Sequence, residues 1–387
     1  MFDIIKVMKF LKKELPLFQA VSTMVGAIIG AGILGIPYVF AKAGFWTGTV
    51  VLVFVAFAMV AMKMMFGEVT LRTYGKHQLP GYVEKYLGKF WRNISSVIMV
   101  VTVSGALVAY FIGIGEVLGT IFGGGMLLWS LIFYLIGSLF LYKGIKVIKE
   151  AEFILTIFIF LIVAVIAVLS FDHISLNNLA TFDMSKLLIP YGVVLFACSG
   201  MMAIPDVRQI LFRREHLFKT AVFLGAFIPA IIYFIFAWIV VGVTGTGTTE
   251  VATIGLGSVM GNKIVIIGNL FAFFTISTSF LTAGLGLKET FNFDFKVKHI
   301  WAWLITITVP LIIYFLGMRD FIQIIGIVGA LGFGVNGVIY IFTYWAARKK
   351  SERHPEYVLS RKFTLPVSVL LILIFVGGLI YTVIDNL

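Results

Sequence analysis

The chain has 387 residues, of which 60% are hydrophobic and 12% are charged, and its mean hydropathy is +1.07. Soluble domains carry about 25% charged residues, so a water-soluble fold is excluded and lipid must cover the excess apolar surface. The net charge of +12 does not indicate nucleic acid, because the basic residues lie in short loops between apolar runs. A single cysteine excludes an internal disulfide.

Eleven apolar segments are long enough to cross a bilayer, for which a helix needs about 20 residues. In chain order they are Leu17–Ala41, Phe45–Phe66, Ile94–Phe122, Met126–Tyr142, Phe153–Phe171, Leu187–Phe212, Thr220–Val243, Ile264–Leu287, Ile300–Leu316, Phe321–Ala347 and Leu365–Ile384. We therefore predict an all-α membrane protein with eleven transmembrane helices in a single domain that spans residues 1–387.

The loop charges predict the orientation, because basic residues near helix ends are retained on the cytoplasmic side. With the amino terminus inside, 25 of the 30 Lys and Arg residues face the cytoplasm. The segment Met1–Pro16 has no cleavage site after its first apolar run, which predicts that it is retained. We predict an inner or plasma membrane protein with a cytoplasmic amino terminus and an external carboxyl terminus.

Lys63 interrupts the second span. At 1.5 Å per residue it would lie about 27 Å below the outer end of that helix, so we expect its ammonium to snorkel to the inner interface. Glu68 and Arg72 are spaced i,i+4 and are expected to form an ion pair.

Two spans carry helix breakers in their interiors. Residues 26–37 of the first span include four glycines and Pro37, and residues 196–206 of the sixth include Gly200 and Pro205. Each such residue disfavours a continuous helix by about 1 kcal/mol for Gly and 3 kcal/mol for Pro. A break survives in a bilayer where its freed peptide groups line a cavity. Close packing of helices through small residues is the alternative explanation.

The breaks occupy matching positions in two halves of the chain, residues 17–171 and 187–347, each with five predicted helices. An odd number of helices per half gives the halves opposite topology. Inverted repeats with broken helices are a described transporter architecture, in which substrate and ions bind near the middle of the membrane. The last predicted helix, residues 365–384, lies outside the repeat.

These motifs resemble the amino acid/polyamine/organocation (APC) superfamily of LeuT-like fold, near the amino acid/auxin and the aromatic/hydroxy amino acid permease branches. Residues 30–37 resemble the first-helix motif of those permeases, and residues 196–205 resemble their sixth-helix Ser-Gly…Ile-Pro motif. Residues 109–116 and 278–287 are similar to their third and eighth helices. Many amino acid/auxin relatives place His after the Ser-Gly pair, where this chain has Met201, so no proton role for that His is expected.

The resemblance implies that the broken segments bind an amino acid. Amides near Ala31 would hold its carboxylate, since helix amino termini carry partial positive charge, and carbonyls near Ala27 and Ser199 would meet its ammonium. Val108 and Ile112 are expected as pocket walls. The implied substrate-binding residues are Ala27, Gly30, Ala31, Gly32, Ile33, Val108, Ile112, Phe196, Ser199, Gly200 and Thr282.

The resemblance also implies a coupling ion, Na⁺ or H⁺. In sodium-coupled members one Na⁺ lies between the first and eighth helices. The matching oxygen ligands, which suit a hard cation, are Gly26, Ile29, Thr275, Thr278 and Ser279. The lysine that some proton-coupled relatives carry on the fifth helix is absent from Phe153–Phe171, whereas the aromatic permeases are largely proton symporters. Glu116 and Asp206 are the carboxylates expected near a proton pathway, although Asp206 could instead pair with basic residues at the cytoplasmic mouth.

The implied function is symport of a neutral amino acid, aromatic or branched, with an uncoupled exchanger or facilitator as the alternative. A membrane-embedded enzyme would need a constellation such as paired acids, an activated Ser or a metal cluster. A channel would need charge rings or repeated filter sequences. The sequence has neither pattern, and no cofactor other than the coupling ion is expected.

Overall fold

The computed structural model describes the backbone of residues 2–385 and the side chains of residues 15–144, 154–261 and 263–384. The positive charges that predict a cytoplasmic amino-terminal segment lie outside the described side chains; they are Lys6, Lys9, Lys12 and Lys13. The helices are α1 Phe2–Ile28, α2 Gly32–Ala43, α3 Phe45–Leu71, α4 Leu79–Leu87, α5 Lys89–Phe122, α6 Met126–Lys143, α7 Ile145–Ser170, α8 Leu176–Leu179, α9 Tyr191–Ala197, α10 Ala203–Ile210, α11 Phe218–Thr244, α12 Ala252–Met260, α13 Asn262–Glu289, α14 His299–Phe315, α15 Phe321–Lys349 and α16 Arg361–Asp385. The predicted all-helical class is confirmed.

The predicted spans all coincide with helices, but not every helix is long enough to cross a membrane alone. Within residues 2–385, eight helices are long and apolar enough, and the bent pair of α1 and α2 makes a ninth if it counts as one span. The remaining predicted spans correspond to α14, with 17 residues, and to α9 and α10, with 7 and 8 residues. The number of membrane-crossing helices therefore stays a prediction.

The helices pack in two sets. In the first set, α11 packs against α1, α2 and α3, and α3 also contacts α9 and α10. In the second, α5 packs against α6, α13 and α14. Helix α15 contacts α5, α3 and α9 and so joins the two sets, while α16 covers the outside of α15. The short helices on either side of the breaks thus belong to the first set, which meets α13 through α1 and α15 through α9.

The outer surfaces of the peripheral helices are apolar. On α6 the side chains of Leu128, Leu135 and Leu139 are more than half exposed. On α16 the same holds for Leu373 and Ile384. An apolar surface of this extent would be unfavourable in water, so these helices are suited to face lipid.

Candidate functional site

The first break separates α1 from α2, whose axes differ by 52°. The Ile29 amide still donates to the Val25 carbonyl at 2.7 Å, but the Gly30 amide turns back to the Ile28 carbonyl at 3.0 Å. Within the described part of the chain, the carbonyls of Gly26 and Ala27 accept no hydrogen bond. Peptide groups at this break are therefore available to a ligand.

The second break separates α9 from α10 over residues 198–202. Gly200 has a φ of +78°, a conformation that glycine adopts without the cost a side chain would bring. Some carbonyls here are used in turns, since that of Phe196 accepts from the Ser199 amide at 3.0 Å and that of Met201 accepts from the Ile204 amide at 3.1 Å. Both breaks were predicted from the glycine and proline content, and both are confirmed.

The two breaks touch each other and α13 through glycines. A Cβ atom at Gly200 would lie 2.4 Å from Cγ1 of Ile28, and one at Gly30 would lie 1.9 Å from Oγ of Ser279. Real Cβ contacts do not reach such distances. Glycine at these two positions therefore allows the backbones of the first break, the second break and α13 to meet.

A cavity of about 110 Å³ lies against the breaks. Of the residues implied as a substrate site, it is lined by Ala27, Phe196, Ser199, Gly200 and Thr282. Gly30, Ala31, Gly32 and Ile33 do not line it and instead form the turn and the start of α2. Val108 and Ile112 also lie outside its lining.

Other lining residues were not singled out from the sequence. Helix α5 contributes Met99, Thr102 and Tyr110, and α15 contributes Asn336 and Tyr340. The α5 residues fall on one helical face at spacings near 3.6, which is the signal that could have found them. The walls expected from the sequence, Val108 and Ile112, lie on a different face of α5, because the rotation of a helix about its axis depends on its packing partners.

The residues implied as ligands of a coupling cation lie where α13 meets the first break. Oγ of Ser279 is buried and makes no hydrogen bond of regular geometry to a described residue, although it interacts with the hydroxyl of Tyr110 on α5. The Thr278 hydroxyl donates to the Thr275 carbonyl at 2.9 Å, which leaves its lone pairs free to accept or to coordinate. The Gly26 and Ile29 carbonyls are unpaired within the described part of the chain. Such an oxygen-only set suits a hard cation.

The two proton candidates lie apart from the cavity lining. Glu116 is a half-buried residue of α5. Asp206 is a buried residue in the first turn of α10, and its Oδ1 accepts from Nε2 of Gln209 at 3.4 Å. The neighbouring Arg208 pairs with Glu215 at 3.0 Å. Neither carboxylate therefore contacts the space between the breaks directly.

The expectation that Lys63 snorkels to the interface is wrong. Its side chain is 1% exposed, and Nζ donates to the Cys198 carbonyl, inside the second break, at 2.6 Å. The physical reason is that α3 faces α9 and α10 rather than lipid at this level, and that the break offers a carbonyl without a helical donor. The predicted ion pair between Glu68 and Arg72 is confirmed, at 2.7 Å.

Tyr233 on α11 is a further residue that the sequence did not reveal. Its hydroxyl lies 2.6 Å from the Ile28 carbonyl and 2.8 Å from the Ala197 carbonyl, so it contacts the last residue of both α1 and α9. A tyrosine in an apolar span carries no local signal of such a role.

Solved structures of similar fold include two transporters. MhsT in complex with L-phenylalanine matches with a TM-score of 0.69 at 16% identity, over 96% of this chain and 98% of that chain. Mhp1, a nucleobase-cation-symport-1 family transporter in a closed conformation with bromovinylhydantoin bound, matches with a TM-score of 0.67 at 15% identity, over 95% and 90%. At this identity the likeness establishes the fold alone, and the expected LeuT-like fold is confirmed.

Sequence comparison gives the family. Glutamine transporter 2 of Aliivibrio fischeri is 22% identical over 331 residues, which cover 81% of this chain and 85% of the relative. Tyrosine-specific transport system 1 of Haemophilus influenzae is 24% identical over 374 residues, which cover 89% and 92%. The tryptophan/tyrosine permease family matches residues 13–382. The chain therefore belongs to the tryptophan/tyrosine permease family, whose members are membrane amino acid transporters and not enzymes.

Proposed function

We propose that this protein is a secondary active transporter that moves a neutral amino acid, aromatic or branched, across the membrane by alternating access, coupled to Na⁺ or H⁺. The observation that carries the proposal is the meeting of two broken helices at one cavity, with unpaired peptide groups at the breaks. Glutamine and tyrosine transport by the two relatives, and the L-phenylalanine bound to MhsT, support an amino acid substrate.

The substrate would lie across the breaks. Its carboxylate would accept from the amides near Ala31 at the start of α2, a helix amino terminus. Its ammonium would donate to the carbonyls of Ala27 and Ser199. Phe196 and Thr282 would contact the side chain. The cavity lining contains no Asp, Glu, Lys or Arg among the described residues, which favours an uncharged side chain because a buried unpaired charge is costly.

The coupling ion would bind beside the substrate. For Na⁺ we propose the carbonyls of Gly26, Ile29 and Thr275 with the hydroxyls of Thr278 and Ser279. The buried hydroxyl of Ser279, which makes no hydrogen bond of regular geometry to a described residue, supports this assignment. Glu116 and Asp206 are the proposed groups if the coupling ion is H⁺. Uncoupled exchange is the alternative to both, and it would give exchange without accumulation.

The topology is proposed as well. Eleven helices would cross an inner or plasma membrane: two inverted repeats, residues 17–171 and 187–347, and the additional helix α16. The amino terminus would be cytoplasmic and the carboxyl terminus external. In that orientation the cavity extends toward the cytoplasm, because its lining includes Leu79 of α4.

The experiment is uptake by purified protein in liposomes. We expect accumulation of at least one of the twenty labelled amino acids when an inward Na⁺ or H⁺ gradient is imposed, and no accumulation in liposomes without protein. Applying each gradient separately identifies the ion. Exchange without accumulation under either gradient would support the uncoupled alternative, and the absence of both accumulation and exchange for all twenty amino acids would contradict the proposal.

A further inference from the structure

The second break has two sides. Phe196, Ser199 and Gly200 line the cavity, whereas Ala197 and Cys198 do not. The carbonyls on this rear side are bound by side chains from other helices: Lys63 of α3 donates to Cys198 at 2.6 Å, and Tyr233 of α11 to Ala197 at 2.8 Å. Protein donors thus occupy the rear of the break, and the ligand-facing side is left open.

Lys63 is an unusual donor for this task. A charged side chain inside a membrane protein is costly and marks a functional site by default. Lys63 takes part in none of the ion pairs found within the described residues. The acidic residue nearest along α3, Glu68, is bound instead to Arg72 at 2.7 Å and to Arg348 at 3.7 Å. The ammonium is therefore held by the carbonyl of the break.

Tyr233 extends the same arrangement to the first break. Its hydroxyl also lies 2.6 Å from the carbonyl of Ile28, where α1 ends, so its single proton is shared between the two carbonyls. One side chain therefore contacts the ends of both broken helices, and Lys63 adds a contact from α3. The first break, the second break, α3 and α11 are linked in this way by side-chain hydrogen bonds to backbone carbonyls.

We propose that Lys63 and Tyr233 are positioning residues that clamp the rear carbonyls of the second break and so hold Ser199 and Gly200 toward the substrate. The clamp deepens the proposed function and rests on it for its effect on transport. A hydrogen bond from a charged donor is stronger than a neutral one, so the Lys63 ammonium holds the unwound segment more firmly than a neutral side chain would. The two breaks then move as one unit during the transport cycle.

Cys198 provides a native reporter of the clamp, because it is the single cysteine of the chain, lies in the break and is 4% exposed. We expect Lys63→Met, which keeps an unbranched stem but removes the donor, to speed maleimide labelling of Cys198 by about tenfold, the order expected for a lost hydrogen bond to a charged group. The measurement is the labelling rate of the purified full chain by mass spectrometry. A wild-type rate in Lys63→Met would overturn the proposal.

Lys288→Met is the matched control. Lys288 is also a buried lysine, and its Nζ donates to a backbone carbonyl, that of Leu141, at 2.5 Å, but its hydrogen-bond partners among the described residues, Leu141 and His299, belong to α6 and α14 and to neither break. We expect this variant to label Cys198 at the wild-type rate. Equal acceleration in Lys288→Met and Lys63→Met would indicate general loosening and would contradict the clamp.

Two further variants keep the test decisive. Lys63→Arg retains the charge and should label more slowly than Lys63→Met, and equal rates would contradict a role for the charge. If Lys63→Met does not fold, Tyr233→Phe serves as the test, because it removes only one hydroxyl. We expect it to accelerate the labelling of Cys198 as well. A wild-type rate in Tyr233→Phe would then overturn the clamp.

A transport readout separates positioning from stability. In amino acid exchange by liposomes we expect Lys63→Met to raise KM about tenfold while the maximal rate stays within a factor of about three, with thermal unfolding close to that of Lys288→Met. An unchanged KM would overturn the proposal. If the wild-type protein exchanges no amino acid, the proposed function fails, while the Cys198 labelling rates still decide whether the clamp exists.

Discussion

Ser279 carries a buried hydroxyl that the protein satisfies only weakly. The residue is 2% exposed, and its Oγ makes no hydrogen bond of regular geometry to a described residue beyond a weak contact with the Tyr110 hydroxyl. Leaving a buried polar group unsatisfied costs about 1–3 kcal/mol. The hydroxyl also lies against Gly30, where a Cβ atom would come within 1.9 Å of it. A cation bound between α13 and the first break would use this oxygen.

The double substitution Thr278→Ala with Ser279→Ala tests that site. If Na⁺ is the coupling ion, we expect sodium stimulation of uptake to be lost, because two of the five proposed ligands disappear. Stability should change by no more than about 1 kcal/mol, since the Ser279 hydroxyl loses only a weak contact with the Tyr110 hydroxyl and the Thr278 bond is an ordinary one within its helix. The measurements are uptake against sodium concentration and thermal unfolding.

Ser277→Ala is the control on the same helix, because the Ser277 hydroxyl donates to the Phe273 carbonyl at 2.6 Å and is not a proposed ligand. It should keep sodium stimulation. Sodium stimulation that persists in the double variant would contradict this assignment and show that the ion binds elsewhere.

Lys63 illustrates the limit of sequence at the residue scale. A lysine in an apolar run is visible in the sequence, and the ion pair of Glu68 with Arg72 followed correctly from spacing along one helix. The position of the Lys63 ammonium could not be predicted in this way, because the depth of a residue along a helix does not determine whether its side chain contacts lipid or another helix. Its partner is a carbonyl 135 residues away in the chain.

Individual helices were predicted to different degrees. The breaks near Ala31 and Gly200 depend on local backbone chemistry, since glycine and proline disfavour a continuous helix wherever they occur, and both could be predicted. The face that α5 turns to the cavity could not, because it is set by contacts with α13 and α15. Val108 was therefore expected in the pocket, where Tyr110 is found.

The contact between the breaks is tested by Gly200→Ala. The substitution places a methyl group 2.4 Å from Cγ1 of Ile28 and requires alanine at a φ of +78°. We expect stability to fall by about 1 kcal/mol or more from the backbone conformation. Displacement of the two breaks should also weaken amino acid binding. Thermal unfolding and equilibrium binding measure the two effects.

Gly123→Ala separates the loss of stability from the loss of amino acid binding. Gly123 has a φ of +71°, but no atom lies within 4 Å of the place that an alanine methyl group would take, and the residue ends α5 far along the chain from either break. This variant should lose stability and keep wild-type affinity. If Gly200→Ala also keeps wild-type affinity, the contact between the breaks does not matter for binding.

At the scale of the molecule, hydropathy located the long apolar helices in the right order, because each span must satisfy its own backbone in lipid, but it did not locate the short helices α4, α8 and α12. The arrangement of two helix sets joined by α15 could not be derived, since it depends on contacts between distant segments. The sequence suggested this arrangement only through its resemblance to the APC superfamily of LeuT-like fold. Orientation is a property of the whole chain and stays a prediction from the loop charges.

Cysteines introduced into a Cys198→Ser background test the orientation across α15. Leu316, 80% exposed between α14 and α15, is predicted to be external, and Lys350, just after α15, to be cytoplasmic. In intact cells an impermeant maleimide should label Leu316→Cys. It should label Lys350→Cys only after the cells are permeabilised. The reverse pattern would invert the topology, and labelling of both from outside would mean that α15 does not cross.

We propose that the two broken helices bind one amino acid between them. Equilibrium binding of each labelled amino acid to the purified protein, with and without Na⁺ and at two pH values, tests it most directly. We predict saturable binding of at least one neutral amino acid, with protection of Cys198 from maleimide at saturation. No saturable binding of any of the twenty under all conditions, or saturable binding that Gly30→Ala and Gly200→Ala both leave unchanged, would contradict the account.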